Sequence, residues 1–218
     1  MRQVIAIDGP SGSGKTTVAK LIAKELGFNY LDTGALYRTA ALVLINNGIR
    51  TEDSDDKISS ILKKNKITFI NGRVYLNGRD VSEDIRSTEI DHYASVFSVR
   101  TSVRDFLLES QRNTALNSEL VAEGRDTTTV VFPEAKKKIY LDASIEERAK
   151  RRSLQFREKG IHISIEESKK NIADRDMRDS RRDIAPLKVA PDALLVDSSN
   201  LSIEQVMEKI LDFIRTDP

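Results

Sequence analysis

The sequence predicts an α/β fold: a doubly wound parallel sheet of about five strands with helices on both faces, into which a small antiparallel lobe is inserted. Three observations carry this prediction. Val4-Ile5-Ala6-Ile7 is apolar without alternation, the pattern of a strand buried on both faces. A helical period follows almost at once and recurs after a second strand, as strand-loop-helix units require. Asn71-Gly72 and Asn77-Gly78 lie between short β-prone runs, where they favour tight hairpin turns. The 218 residues suffice for one such domain and are short for two.

In chain order, the first strand ends at Asp8 and Gly9, and Val18, Leu21, Ile22 and Leu26 then repeat at helical spacing up to Gly27, a left-handed cap. Phe28-Asn29-Tyr30-Leu31 reads as the second strand, and a helix over 34–47 closes at Gly48. A helix near 54–64 precedes the runs 67–70, 73–76 and 79–81, which form the antiparallel meander, and another helix follows Ser82. The segment 62–94 is accordingly set apart as an insert in a core of 1–61, 95–147 and 163–218, with 148–162 as a short lid. A long helix over 102–117 leads to strands at 120–122 and 138–141. Ser144-Ile145-Glu146-Glu147 and Ser164-Ile165-Glu166-Glu167 open two helices as capping boxes, 193–196 is the last strand, and Ser202-Ile203-Glu204-Gln205 caps the terminal helix.

Composition narrows the function classes. Lysine and arginine number 35 against 34 acidic residues, a formal net charge of +1, which argues against a general grip on nucleic acid or membrane and makes any anion site local. With no cysteine there is no thiolate catalysis and no cysteine-ligated metal; His92 and His162 are far apart and read as surface residues. The apolar run at the amino terminus, after Met1-Arg2-Gln3, is too short for a signal segment or a membrane span, so a cytoplasmic enzyme is expected.

Gly9, Pro10, Ser11, Gly12, Ser13, Gly14, Lys15 and Thr16 match G-x-x-x-x-G-K-[ST] in full, with Thr17 next, between a strand and a helix. Glycines there let backbone N–H groups wrap phosphate at the positive end of the helix dipole. Lys15 then reaches the β- and γ-phosphates of a nucleoside triphosphate, and the Thr16 hydroxyl ligates magnesium. The loop leaves motor, GTPase and kinase open. Asn65-Lys66-Ile67-Thr68 lacks the aspartate of a guanine reader, which counts against a GTPase. Asp32-Thr33-Gly34-Ala35-Leu36-Tyr37-Arg38 follows the second strand, at the edge where such sheets present ligands, and puts Arg38 where it can meet an anion. Arg148, Arg151 and Arg152 share one helix, and Arg175, Arg178, Arg181 and Arg182 alternate with Asp174, Asp176, Asp179 and Asp183 in a run that on its own reads as salt-bridged helix surface.

Together with Glu123-Gly124-Arg125-Asp126, Val130-Val131-Phe132-Pro133, Arg175-Asp176 to Asp179-Ser180 and Ala185-Pro186-Leu187, these motifs resemble the bacterial cytidylate kinases over nearly the whole chain. The resemblance implies a single P-loop kinase domain with a monophosphate-binding insert, acting as a monomer on ATP with Mg2+ and on CMP or dCMP. It places Thr33, Arg38 and Arg125 around the acceptor phosphate, and Ser95, Arg104, Asp126 and Arg182 at the cytosine. Arg175 and Asp179 would hold the sugar, and Lys15, Arg125, Arg148, Arg151 and Arg152 would act on the transferred phosphoryl group. Two departures stand out. Thr127-Thr128-Thr129 follow Asp126 where the family commonly has a bulky apolar residue and then glycine, and Thr101 stands where proline is common. Two rival readings keep the loop: a kinase for UMP, AMP or a shikimate-like acceptor, and a P-loop regulatory ATPase.

Overall fold

The computed structural model describes residues 3–116, 118–158 and 160–216. Met1, Arg2, Asn117, Lys159, Asp217 and Pro218 lie outside the described residues, and with them the outer ends of the predicted core segments 1–61 and 163–218, the end of the predicted 102–117 helix and one position of the predicted lid.

Strand β1 (Val4–Asp8) is buried at all five positions. It runs parallel between β6 (Leu120–Gly124) and β7 (Lys137–Asp142), with β2 (Asn29–Asp32) outside β6 and β8 (Leu194–Asp197) outside β7. The five-stranded parallel order is therefore β2-β6-β1-β7-β8. The unalternating run has a direct explanation, because the two faces of β1 enter different apolar clusters. Val4 and Ala6 join Leu31, Leu36, Leu44 and Leu107, while Ile5 and Ile7 join Val18, Ile22, Val206 and Ile210. Ile5 and Ile7 are fully buried, each contributing on the order of 1.5–3 kcal/mol.

The second cluster packs α1 (Lys15–Leu26) and α8 (Ile203–Arg215) on one face of the sheet. The first packs α2 (Thr33–Asn46), α3 (Asp55–Leu62), α4 (Thr88–Phe97) and α5 (Thr101–Asn113) on the other. Strands β3 (Ile67–Ile70), β4 (Arg73–Leu76) and β5 (Arg79–Asp80) form a separate antiparallel sheet. Its turns are the predicted ones, with Asn71 and Asn77 both at φ 51° and Gly72 and Gly78 at 78° and 86°, the left-handed pair that a two-residue hairpin needs. Ile67, Val74 and Val81 belong to the same cluster as α2 and α3, so the small sheet shares the main core. Helices α6 (Ile145–Glu158) and α7 (Ile165–Arg181) pack against each other.

Several boundaries moved for local reasons. Helix α2 starts at Thr33 because the Asp32 carboxylate accepts from the Ala35 N–H. After Ser82 a single 3-10 turn (Asp84–Arg86) comes first, and Ser87 then caps α4. Of the two predicted boxes at Ser144 and Ser164 each makes only its serine half, accepting from the N–H of Glu147 and Glu167. At Ser144 the other half is blocked: its N–H already donates to Ser199 Oγ, and Glu147 pairs with Arg151. Ser202 and Gln205 do form a reciprocal box. No helix of the described residues is long and apolar enough to cross a membrane.

Candidate active site

The carboxyl end of β1 delivers the phosphate loop. At Gly9 φ is +153°, and a Cβ would lie 2.0 Å from the Leu141 carbonyl oxygen, so only glycine fits beside β7. Gly14, at φ +96°, turns the chain into α1. Arg148 braces the loop from behind. Its Nε donates to the Ala143 carbonyl at 2.8 Å and its Nη1 to the Ser11 carbonyl at 3.1 Å, and it pairs with Asp176, which accepts from the Ser11 N–H at 3.1 Å. Arg151 holds the far side, reaching the Ser13 carbonyl and both the hydroxyl and carbonyl of Ser198.

Lys15 is buried, with Nζ donating to the Pro10 carbonyl at 2.6 Å and Ser13 Oγ at 3.2 Å. Burial, and then the Arg125 guanidinium, bring its ammonium down to about 7, against the opposing pull of Glu123. Glu123, on the next strand, accepts from Thr16 Oγ1 at 2.6 Å and from Tyr30 Oη at 2.9 Å. Burial and the neighbouring Asp32 push its carboxyl up.

Beyond β6 the chain makes a π-type turn (Thr127–Val131) against the end of β1. Buried Asp8 accepts from the N–H of Thr127 at 2.9 Å, the N–H of Thr128 at 2.7 Å and Thr128 Oγ1 at 2.6 Å. Burial nevertheless raises its pKa. These contacts account for Thr128, whereas the hydroxyls of Thr127 and Thr129 are buried without a partner among the described residues. Thr128 is not among the residues with positive φ, so the turn does not need glycine, and its hydroxyl adds a third donor to Asp8.

A cleft of about 440 Å³ runs along the carboxyl edge of the sheet. Ser11, Gly12, Ser13, Gly14, Lys15, Thr16 and Thr17 line one end. Thr33, Arg38, Ser95, Arg125, Asp126, Arg175, Asp179 and Arg182 line the other, with Arg151 and Arg152 along the wall. Gly9, Pro10, Arg104 and Arg148 stand behind this lining. Arg104 pairs with Asp126 and donates to the Ser98 carbonyl, and Arg182 approaches the same carboxylate at 3.5 Å. Asp179 accepts from Arg125 Nε at 2.9 Å. Thr33 Oγ1 donates to the Glu123 carbonyl, Arg38 to Asp32, and Arg178 to Ser95 Oγ.

The arginine-aspartate run of α7 is not the exposed helix surface that its alternation suggests. Asp179 and Arg182 are 3% and 9% exposed, and only members such as Asp174 and Arg181 face outward. The reason is tertiary: α7 lays one side over the cleft, where Arg125, Asp126 and Asp91 await it. Despite these pairs, Nε of Arg38, Nε of Arg175 and Nη2 of Arg182 are buried without a hydrogen-bond acceptor among the described residues.

Sequence reasoning assigned no role to Asp8, Glu123 or Asp91. Asp8 and Glu123 lie inside recognisable motifs, so their signal was present in the linear sequence. Asp91, which accepts from Arg152 and Arg175, sits in no motif.

A sequence model of the cytidylate kinase family matches residues 5–216. A protein named cytidylate kinase from Thermosipho melanesiensis is 53% identical over 211 residues, covering 97% of this chain and 96% of its own. One of the same name from Thermodesulfovibrio yellowstonii is 48% identical over 221 residues, covering 100% of both. Among solved structures, a shikimate kinase from Bacteroides thetaiotaomicron matches with a TM-score of 0.50 at 12% identity, covering 98% of this chain and 99% of that one, a likeness of fold alone.

Proposed function

The chain belongs to the cytidylate kinase family, and on that premise we infer that it transfers the γ-phosphoryl group of ATP to the phosphate of CMP or dCMP, giving ADP and CDP or dCDP. One observation supports the reading above the others. A phosphate loop faces, across one cleft, guanidinium groups of Arg38, Arg175 and Arg182 that each keep one buried donor without an acceptor among the described residues. Such donors are costly unless an incoming oxygen takes them.

The roles are those the family resemblance implies, and the shared cleft lining supports them. The loop from Gly9 to Thr17 receives the triphosphate, and Lys15 sits at its β- and γ-phosphates. Thr33, Arg38 and Arg125 receive the acceptor phosphate. Ser95, Asp126 and Arg182, with Arg104 fixing Asp126 from behind, read the cytosine, whose N4 amino group donates and whose N3 and O2 accept. Uracil reverses part of that pattern, leaving polar groups unpaired at about 1–3 kcal/mol each. Arg175 and Asp179 receive the sugar. No general base is needed, because a phosphate acceptor with a second pKa of about 6 is already ionised at neutral pH. The obstacle is repulsion between anions, and Lys15, Arg125, Arg151 and Arg152 offset it while the loop and α6 exclude water. Arg148 contributes indirectly, by holding the loop in shape. The segment 62–94 serves as the monophosphate-binding insert and 148–162 as the lid.

Magnesium suits the donor set. Thr16 Oγ1 and Glu123 Oε1 are hard oxygens 2.6 Å apart beside Lys15, and Mg2+ is held by few protein oxygens together with substrate phosphates. Thr16 would hold it, with Glu123 close by, and the ion would supply neutralisation of the β- and γ-phosphate charge.

The test is a coupled ADP-release assay with ATP and magnesium against CMP, dCMP, UMP, AMP, GMP and shikimate. CMP and dCMP are expected to be the fastest acceptors. ADP release indifferent to acceptor, or fastest with shikimate, would overturn the reading. Lys15→Ala should suppress turnover with every acceptor, whereas Arg38→Ala should raise the KM for CMP and leave ATP binding intact.

A further inference from the structure

Asp91 lies on α4, at the junction of three other helices. Its carboxylate accepts from Arg175 Nη1 of α7 at 2.8 and 2.9 Å and from Arg152 Nη2 of α6 at 2.8 Å, and Arg38 Nη1 of α2 is 4.0 Å away. The group lines the cleft and its side chain is 20% exposed. Burial alone would raise its pKa, yet the guanidinium groups of Arg175, Arg152 and Arg38 hold it well below the usual carboxylate range. It is thus an anion throughout the working pH range, at the point where cations from three helices converge.

We propose that Asp91 is a positioning residue that takes, in the nucleotide-free cleft, the guanidinium donors of Arg152 and Arg175 that nucleotide oxygens, of phosphate at Arg152 and of sugar at Arg175, share during turnover. Carboxylate and phosphate present the same kind of paired oxygen acceptors to a guanidinium fork, so the two compete for it. Two consequences follow. The arginines are gathered before substrate arrives, which removes the repulsion among three adjacent cations. Free anions are also held off, because inorganic phosphate must displace a tethered carboxylate with no help from base or sugar contacts. A nucleotide anchored elsewhere in the cleft has that help. This proposal rests on the roles given above, Arg152 at the phosphates and Arg175 at the sugar.

The variant is Asp91→Asn, which keeps the shape and removes the charge. Inorganic phosphate, titrated by calorimetry into the nucleotide-free protein, should bind at least about tenfold more tightly than to wild type, since a cluster without its counter-charge recruits one from solution. In kinetics the KM for CMP should fall together with kcat, as ground-state anion binding improves while the preset geometry loosens. A folded variant whose phosphate affinity is unchanged or weaker would overturn the proposal and leave Asp91 a structural tether. Side-chain 15N spectra of the wild-type protein provide the second readout. The Arg152 guanidinium signal should shift on saturation with inorganic phosphate, and a signal that stays in place would also refute it. Both phosphate readouts are independent of turnover, so their failure would defeat this proposal alone, whereas a wild-type protein that failed to phosphorylate CMP would defeat the functional reading on which it rests.

Discussion

Replacing Asp126 by asparagine tests the base-reading end of the cleft on two axes at once. Its carboxylate is 6% exposed and lies between the side chains of Arg104 and Arg182, 8% and 4% exposed. Removing one partner of a buried pair costs about 3–5 kcal/mol, because the remaining charge is left uncompensated. Asparagine keeps one oxygen acceptor, which places the expected loss near the lower end, about 3 kcal/mol in urea unfolding. A domain with stability of roughly 5–15 kcal/mol stays folded under that loss, so kinetics remain measurable. The second axis is discrimination. An amide in place of the carboxylate can turn a donor toward the base, and a mispairing of about 1–3 kcal/mol corresponds to an approximately 5- to 150-fold fall in the ratio of kcat/KM for CMP over UMP. Unfolding midpoints by circular dichroism and initial rates with both nucleotides give the two numbers. A variant as stable as wild type would show that the two arginines do not depend on Asp126. An unchanged CMP to UMP ratio would remove it from base recognition.

Lys15 makes a pH-dependent prediction. Because its pKa is lowered to about 7 in the ligand-free site, it is largely neutral at pH 8, and a phosphate anion placed beside it favours the charged form. ATP binding should therefore take up close to one proton at pH 8 and almost none at pH 6, read as a dependence of calorimetric enthalpy on buffer ionisation enthalpy. An enthalpy independent of buffer at pH 8 would contradict this. Gly9→Ala should lose ATP binding and about 3 kcal/mol or more of stability, given its φ and its approach to the Leu141 carbonyl. Gly27→Ala is its control, because no atom lies within 4 Å of a Cβ there and only the left-handed strain remains, about 1 kcal/mol. Equal losses in the two variants would refute the close-approach argument. Thr128→Val should cost about 1–3 kcal/mol by removing one of the donors to Asp8, with little change in CMP turnover; an unaltered unfolding curve would show that this hydroxyl is dispensable.

The features legible in the linear chain are those governed by local rules. The unalternating Val4 to Ile7 run, the two Asn-Gly turns and the glycine pattern of the phosphate loop each follow from the backbone or from burial on both faces, and each is present as read. Features that depend on what arrives from elsewhere in space were not legible. Ser144 could not complete its box because Ser199, 55 positions later, took its N–H. The alternating charges of α7 look like solvated surface until Arg125 and Asp91 are brought against them. Thr128 stands where a relative commonly has glycine, and its fit depends on the buried Asp8 carboxylate, 120 positions away. Asp91 had no linear signature at all, since its meaning lies in three guanidinium groups from three other helices.

The brace formed by Arg148 also constrains how α6 can move. Its guanidinium is tied to Ala143, Ser11 and Asp176, and Arg151, one turn on, is tied to Ser13 and Ser198. The helix therefore has its fulcrum at the phosphate loop, and its arm toward Glu158 is held by Arg152 on Asp91 and by packing against α7. That arm is about 15 Å long at 1.5 Å per residue, so a tilt of about 10° carries its tip by roughly 3 Å while the fulcrum stays in register with the loop. A closure of this wall, once Arg152 released Asp91, would amplify toward the tip and leave the donor end almost still.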